Sequence, residues 1–442
     1  MIAYTKKIEI LAYYFLMVAI GLIIVAKIGT AALLYVKDIS PSPVQDPLEY
    51  RNLGLNTLAG NGFSIAEKPP YVPDLFRTPL YPLFLSATFS LDKNGHMAIL
   101  LQQLMIIISV WLFFKLLHRY QFGVSRIVPL VFSLFLLIEP RIWFWSLETM
   151  TESLFIFLTS LAIFLLLYPR MLGRTHIAGA AACFGCALLT RPAGLLWIPG
   201  FFLFLLLYRQ PFKSKLIGIG IFAVMAGLVV SPWIVRNERL VGKPILSVAE
   251  PVDYILTFGK GRADPAWACE SRITDSKGRQ GCVFHGWTAA GFHDTEETVK
   301  NLRATVPVFS FIKTNVLGMY HFWAPVDYKD SVGILHNAVA GAGKARSPAW
   351  AAFAKMSHQW YSVVLGFIAI MAVAGFVFLY KRREFAMMGL FGGIIFSSNF
   401  MNFGIASGRL HLILLPSVVF LAGLGAAYMR HANFPRESSK KS

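Results

Sequence analysis

The chain has 442 residues, of which 56% are hydrophobic and only 14% are charged. Soluble domains carry about a quarter charged residues, so this composition excludes an ordinary soluble protein and predicts an integral membrane protein. The formal net charge is +18, yet no RNA-binding signature, zinc-ligand spacing or basic recognition helix accompanies it, and nucleic acid is not an expected partner.

The first apolar segment, at 9–29, follows Lys6 and Lys7 and so begins like a secretory signal peptide. Its apolar core is too long for one, and no A-x-A-like cleavage site closes it. We therefore predict that this segment is a retained first transmembrane helix.

Apolar segments that approach or exceed the roughly 20 residues needed to span a bilayer recur along the chain. They lie at about 9–28, 97–117, 127–145, 151–168, 176–191, 194–208, 215–234, 360–380, 386–403 and 410–428. The predicted fold class is all-α: a polytopic membrane protein with about ten transmembrane helices, or eleven to twelve in the alternative, and with short interfacial helices in its extracytoplasmic loops.

The short connections between these segments are basic, at 118–126, 168–176, 208–215 and 381–384, and so is the tail at 430–442. Cytoplasmic loops collect Lys and Arg, so all of them are predicted to lie in the cytoplasm. The remaining positive charge suits membrane lipids with anionic headgroups, or phosphate.

This orientation divides the chain into segments. They are a first helix at 1–29, a first outer segment at 30–96, helices at 97–234, a large outer segment at 235–358, C-terminal helices at 359–429 and the cytoplasmic tail. The stretch 306–325 is partly apolar but is interrupted by Lys313, Asn315 and His321. We favour an interfacial or re-entrant helix there over an eleventh span.

The four cysteines fall into two pairs. Cys183 and Cys186 lie in an apolar segment rich in small residues, which favours helix packing over a redox site. Cys269 and Cys282 lie in the large outer segment, where an oxidising compartment would allow a disulfide between them.

The first outer segment carries Asp46 and Tyr50 directly after the first helix, and then Arg77 and Tyr81 in the stretch RTPLYPLF. A carboxylate in this position could deprotonate a nucleophile. The alternative for Asp46 is a turn residue before Pro47.

A second acidic group opens the fourth predicted span from the same side. Glu148 and Glu152 are four residues apart, a spacing that would place them on one helix face. Acids at membrane depth are costly and point to function. The alternative for Glu152 is a charge favoured by the helix N-terminus.

Several basic or polar residues lie at the outer ends of other spans: Arg191, Arg236, Asn237, Arg409 and His411. Arginine binds phosphate through its planar fork, so these residues could hold a phosphate leaving group. The alternatives are snorkelling anchors for Arg191 and Arg409 and a simple helix exit for Arg236. The histidines show no metal-ligand spacing, and we predict neither a metal nor another cofactor.

In these motifs the sequence resembles the GT-C membrane glycosyltransferases, in particular the bacterial branch related to protein O-mannosyltransferases and lipid A aminoarabinose transferases. The matching residues are Asp46 and Tyr50 with LAGNGFS, RTPLYPLF at 77–84, Thr151 with Glu152, Thr190–Pro192, and Pro232, Trp233, Arg236 and Asn237. A late RY-x-x-P pattern is matched only by Arg409 and Pro416, because Leu410 and His411 depart from it.

The resemblance implies an inverting glycosyltransferase in the bacterial inner membrane, with its active site facing the periplasm. The donor would be a polyprenyl-phosphate-linked sugar and the acceptor a glycan, a lipid or a protein. Asp46 would be the general base and Glu152 a second catalytic residue. Substrate-binding roles would fall to Tyr50, Arg77, Tyr81, Glu148, Arg191, Arg236, Asn237, Arg409 and His411.

Two other functions fit part of the same pattern. A flippase or transporter of a lipid-linked saccharide would also need many helices and basic patches, but its polar residues belong at the midplane of paired repeats. A glycan ligase would act on a diphosphate-linked donor.

Overall fold

Each apolar segment of the sequence contains a helix in the computed structural model. The structure describes residues 2–37, 45–120, 126–248, 269–274, 280–284, 288–290, 292, 348–401 and 413–433. Within these ranges the regular structure is helical apart from one two-stranded hairpin, which confirms the all-α prediction in its coarse form.

The N-terminal part of the chain supplies ten helices and one 3-10 helix. They are α1 (Ile2–Lys37), α2 (Gln45–Ala59), α3 (Leu80–Phe89), α4 (His96–Tyr120), α5 (Ile127–Ile138), α6 (Pro140–Trp145), α7 (Glu152–Leu167), α8 (Arg174–Leu188), the 3-10 helix Pro192–Trp197, α9 (Ile198–Leu207) and α10 (Phe212–Val241). The short helices α2 and α3 lie in the predicted first outer segment.

The C-terminal part contributes the hairpin and three further helices. They are β1 (Cys269–Thr274), β2 (Gln280–Phe284), α11 (Pro348–Lys381), α12 (Phe385–Met401) and α13 (Leu415–Asn433). The predicted interfacial helix at 306–325 lies outside the described residues.

Four helices of the described chain are long and apolar enough to cross a membrane. They are Ile8–Val36, His96–Tyr120, Phe212–Val241 and Val363–Lys381. The other apolar helices are shorter, so the membrane character is supported while the number of ten spans stays a prediction.

The segment predicted as one span at 127–145 is broken at Glu139. Proline disfavours the helical conformation in the residue before it, and Glu139 has ψ 117° in front of Pro140. The Glu139 carboxylate then accepts a hydrogen bond from the Ile142 amide at 2.7 Å, which caps α6. The prediction of a continuous helix is therefore wrong at this point.

A buried lysine docks α1 onto this break. Lys27 is fully buried, and its Nζ lies 4.6 Å from the centroid of the Trp143 ring. Glu139, which pairs with Arg141 at 2.8 Å, is the acid whose charge acts on Lys27. A buried cation in an apolar helix needs such partners, so this contact orients α1 against α5 and α6.

The two halves of the chain share one apolar core, and glycines bring their helices together. Phe420 of α13 packs against Phe113 of α4, with ring centroids 6.1 Å apart. A Cβ on Gly393 of α12 would lie 2.6 Å from the Cα of Gly200 in α9. Small residues allow this close approach of helix backbones, which is typical of membrane bundles.

The hairpin that contains Cys269 and Cys282 is antiparallel. Its register pairs Cys269 with Phe284 and Cys282 with Arg272, with an irregularity between Cys269 and Ser271. The two cysteines are therefore diagonal neighbours in the ladder and not directly opposite each other, and their disulfide stays a prediction.

Candidate functional site

The centre of the site is the guanidinium of Arg77, which two acidic side chains of α2 share. Its Nη2 lies 2.9 Å from Asp46 Oδ1 and is also in contact with Glu49 Oε2. The side chain of Glu49 is 0% exposed, whereas that of Asp46 is 22% exposed. One buried cation thus holds a buried acid and a partly accessible acid three residues apart on one helix.

Burial would by itself lower the pKa of Arg77, but the neighbouring acidic groups outweigh it and hold that pKa well above its usual value. Arg77 therefore stays charged, and it fixes the orientation of both carboxylates. Its guanidinium also stacks over the ring of Tyr50, 4.8 Å from the ring centroid.

Tyr50 is the point where the charges of the site converge. Burial raises the pKa of its hydroxyl, and the charges of Arg77, Asp46, Arg191 and Glu152 all act on it, the arginines lowering and the acids raising it. These four charges come from α2, the 60–79 loop, the start of α7 and the turn after α8, so the fold gathers them at one place.

The second charged pair of the site is Glu152 with Arg191. Arg191 Nη1 lies 2.7 Å from Glu152 Oε1, and the same nitrogen donates to Thr151 Oγ1 at 3.1 Å. Neither oxygen of Glu152 receives an aligned hydrogen bond from any residue that the structure describes, although Glu152 is 1% exposed. A buried carboxylate in this state can accept hydrogen bonds from a substrate.

A polar network joins Tyr81 to the turn that carries Glu148. The Tyr81 hydroxyl donates to Gln102 Oε1 at 2.6 Å, and Gln102 Nε2 donates to the carbonyl of Glu148 at 2.6 Å. Gln103 Nε2 donates to the carbonyl of Ser146 at 2.8 Å. These bonds give the buried carbonyls of the turn their hydrogen-bond donors. They hold Tyr81 and the backbone of Glu148 beside the charged cluster.

The structure corrects the arrangement of the two glutamates. Glu148 lies in the turn before α7, whose first residue is Glu152, so the two do not share a helix face as predicted. The side-chain amides of Gln102 and Gln103 in α4 donate to the carbonyls of Glu148 and Ser146 in this turn. In a continuous helix these carbonyls would accept from backbone amides instead.

The loop that delivers Arg77 is tied down on both sides. Asn56 of α2 donates from Nδ2 to the carbonyls of Ser64 and Ala66, at 2.7 and 2.8 Å. Farther on, the amide of Leu80 donates to the carbonyl of Leu189 at 2.9 Å. The loop therefore has few ways to move, and the guanidinium stays in place.

Arg236 and Asn237 support this loop and lie apart from the charged cluster. Arg236 Nη1 donates to the carbonyl of Asp74 at 3.0 Å and to Asn237 Oδ1 at 2.8 Å, above the ring of Trp233. Asn237 donates to the carbonyl of Ile245 at 3.0 Å. Their polar groups are bonded to protein backbone, so the observed contacts favour a positioning role over substrate binding.

The predicted site residues thus separate into three sets. The structure brings together Asp46, Tyr50, Arg77, Tyr81, Glu148, Glu152 and Arg191. It places Arg236 and Asn237 behind the loop. Arg409 and His411 lie outside the described residues, as do the side chains of Cys269 and Cys282.

Site residues that sequence reasoning left out are Glu49, Asp74 and the two glutamines of α4. Glu49 could have been found, because three residues from Asp46 is one helical turn. Gln102 and Gln103 could also have been found as adjacent amides within an apolar helix. Asp74 could not have been recognised from the sequence, because it differs from other acidic loop residues only in being buried in the structure. Within the described ranges no three His, Cys, Asp or Glu side chains are grouped to hold a metal ion.

The sequence matches no protein-family model, and no curated protein matches it. Support for a function therefore comes from the geometry of the site.

Replacing Arg77 should destabilise the protein strongly. Arg77→Met removes the guanidinium that contacts the buried Glu49, and removing one partner of a buried ion pair costs about 3–5 kcal/mol. Arg77→Lys keeps the charge and should cost less. Thermal unfolding in detergent measures both, with Arg239→Met at an exposed arginine of α10 as the matched control. A Met variant as stable as wild type would contradict this role of Arg77.

Asp74 should give the protein a pH-dependent stability. Burial raises the pKa of Asp74 from 3.8 to about 6, against the opposing effects of Arg77 and Arg236. Between about pH 4 and pH 6 the folded state therefore keeps a proton that the unfolded state releases, so stability falls as pH rises through this window. The contribution is at most about 3 kcal/mol and is fully present below pH 4.

The measurement is thermal unfolding of the detergent-solubilised protein from pH 4 to pH 7. Asp74→Asn should flatten the pH dependence, because the amide does not titrate. Glu67→Gln, at an exposed acid in the same loop, should leave it unchanged. Identical slopes for wild type and Asp74→Asn would show that Asp74 does not carry the effect.

Proposed function

We propose that the protein transfers a sugar from a polyprenyl-phosphate carrier to an acceptor hydroxyl on the extracytoplasmic side of a bacterial inner membrane, with inversion at the sugar carbon. One observation carries the proposal. The site gathers two pairs of opposite charges around Tyr50, and Asp46 is the more exposed of the two acids that Arg77 holds.

Asp46 is the proposed general base. Its carboxylate is partly exposed and is held by Arg77 at 2.9 Å, so it can meet an acceptor hydroxyl in a fixed orientation. Glu49 shares the same guanidinium but is fully buried, and it is suited to balance the charge of Arg77.

Glu152 is proposed to orient the acceptor or the sugar. Both of its oxygens lack an aligned donor among the described residues, and a sugar hydroxyl can supply one. Because Arg191 lies against the same carboxylate, groups bound by the two residues would be close to each other.

Arg191 is proposed to hold the phosphate of the donor. A guanidinium has five N–H donors, and one nitrogen of Arg191 contacts Glu152 and Thr151. Charge-assisted bonds from a fixed arginine would stabilise the phosphate as it gains negative charge.

The proposed reaction has one displacement step. The acceptor oxygen attacks the anomeric carbon while its proton passes to Asp46. The bond between that carbon and the phosphate oxygen breaks, and polyprenyl phosphate leaves with the electron pair. No metal is needed to balance the charges of this step, because the leaving group is a monophosphate.

Two features support an outer-face location for the site. The charged cluster lies at the starts of α4 and α7, at the ends of these helices opposite to the basic connections. A phosphate-linked polyprenol would lie in the membrane with its headgroup at the boundary, and we propose that α2 and the 60–79 loop lie at that boundary.

Asp46→Asn should remove transfer activity while leaving the protein folded. Loss of a general base costs about 2–4 orders of magnitude in rate. The assay follows release of polyprenyl phosphate by the purified protein from polyprenyl-phosphate mannose, glucose and aminoarabinose. Glu67→Gln, an exposed acid of the same outer segment, should turn over like wild type.

The outcome separates the candidate functions. Release that depends on Asp46 supports the transferase. Translocation of the intact carrier without release would identify a flippase, and release of a diphosphate from a diphosphate-linked donor would identify a ligase. Asp46→Asn with near-normal release would show that another residue is the base.

The orientation is tested by labelling two exposed lysine positions after replacement by cysteine. Lys68 lies in the 60–79 loop and Lys213 at the start of α10. In intact cells an impermeant thiol reagent admitted to the periplasm should label Lys68→Cys but not Lys213→Cys, because the proposed orientation places them on opposite sides. Each substitution is made separately in a protein whose four native cysteines have been removed. Labelling of Lys213→Cys but not of Lys68→Cys would show that the orientation is the reverse of the proposed one.

A further inference from the structure

A cavity of about 340 Å³ lies where the ends of α4, α7 and α9 meet the start of α12. Its lining is basic: Arg119, Arg170, Arg209 and Arg383 face it together with one acid, Glu384. The formal charge of these side chains is +3, since four arginines meet one glutamate. Such an excess in one cavity favours an anion.

The cavity is at the opposite end of the bundle from the charged cluster around Arg77. Glu152 begins α7, and Leu166 and Leu167 near its end line the cavity. With a rise of about 1.5 Å per residue this separation is roughly 20 Å. The cavity is therefore a second feature of the fold, and its interpretation does not rest on the proposed function.

Arg383 occupies a backbone position that normally belongs to glycine. α11 ends at Lys381, and the amides of Arg383 and Glu384 then donate to the carbonyls of Tyr380 and Leu379, both at 2.9 Å. This pair of bonds is the Schellman ending, whose left-handed residue is usually glycine. Arg383 adopts it with φ 57°.

Arginine at this position marks the turn as a candidate functional feature. Residues in rare backbone conformations cluster at functional sites, where the surrounding structure holds them in place. The turn is held in place from a second connection, because Arg209 Nη2 donates to the Arg383 carbonyl at 2.7 Å. The side chain of Arg209 is thus hydrogen-bonded to the backbone of Arg383.

The remaining walls are also organised. The Tyr120 hydroxyl donates to the Leu167 carbonyl at 2.6 Å, which joins the ends of α4 and α7. Arg119 stacks over the ring of Tyr168, 5.3 Å from its centroid. Phe385, Ala386 and Met387 line the cavity with the first turn of α12, a helix of 17 residues. Its N-terminal amides and dipole add to the positive field.

We propose that this cavity binds a phosphate group, carried either by the headgroup of an anionic phospholipid or by a small soluble phosphate. Arginine forks match the oxygens of phosphate, and basic pockets between membrane helices recognise anionic headgroups. Glu384 directly precedes α12, and with four arginines in the same lining the proposed site keeps a net positive charge.

The test uses the purified full-length protein in a neutral detergent. Native mass spectrometry measures binding of dioctanoyl phosphatidylglycerol, with dioctanoyl phosphatidylcholine as the zwitterionic comparison, and calorimetry measures binding of inorganic phosphate. Arg383→Gly and Arg170→Gln should each weaken phosphate-group binding about tenfold. Arg383→Gly should leave the melting temperature equal or higher, because glycine suits the left-handed position.

Arg174→Gln is the matched control, since Arg174 is exposed at the start of α8 and does not line the cavity. Phosphatidylglycerol binding that falls in the two cavity variants alone supports a lipid headgroup, and inorganic phosphate binding with the same dependence supports a soluble phosphate. Equal binding by wild type and both cavity variants, or an equal loss in Arg174→Gln, would overturn the proposal.

Discussion

The arrangement of the charged cluster depends on one buried guanidinium. Arg77 comes from a loop, whereas Asp46 and Glu49 come from α2, and the ion pairs between them join two segments about 30 residues apart. A buried charge without a partner is costly, so the loop and the helix are each stable in this position only with the other. The hydrogen bonds of Asn56 and Arg236 to the same loop serve this junction.

Around this junction the polar groups at the same end of the bundle are organised in successive contacts. Tyr50 packs edge-on against Tyr81, with ring centroids 5.1 Å apart, and Tyr81 reaches the turn before α7 through Gln102. That turn ends at Thr151, which accepts from Arg191. Tyr81, Gln102 and Arg191 are each held by a neighbour on another element, so the charged side chains beside them have the fixed geometry that a preorganised site requires.

The two ends of the bundle are basic or mixed in charge, and the helices between them are apolar. α4 and α7 extend from the charged cluster to the arginine-lined cavity, so both features are attached to the same pair of helices. The ends differ in kind: the charged cluster pairs acids with arginines, whereas the cavity has four arginines for one acid. The proposed proton and phosphate chemistry belongs to the charged cluster, and the proposed anion site to the cavity.

Sequence reasoning succeeded where a local rule applied. Each predicted apolar segment contains a helix, because hydrophobic length is a property of the segment itself. The bounds were less accurate, since α1, α10 and α11 extend about 7 to 12 residues beyond the prediction at one or both ends. It failed where the spacing of two residues along the sequence was used to infer their relative position in the structure. Glu148 and Glu152 have helical spacing, but the glutamines of α4 hold Glu148 in a turn. The sequence also could not show that Arg236 and Arg191, both at predicted span ends, have different partners: Arg236 donates to the carbonyl of Asp74 and to Asn237, whereas Arg191 pairs with Glu152.

By itself the sequence determined the apolar helical segments, some of them long enough to cross a membrane, and supplied the residue types of the charged cluster, since composition and segment length carry this information locally. Only the tertiary structure decided that Arg77 is shared by Asp46 and Glu49, that Lys27 is buried against the break at Glu139, and that Arg383 faces a cavity with three other arginines. These are pairings between distant segments, and their physical basis is the cost of burying a charge. A buried charge is stabilised by an oppositely charged or polar residue that the fold brings near it. Because that residue is distant in the sequence, no local sequence pattern identifies it.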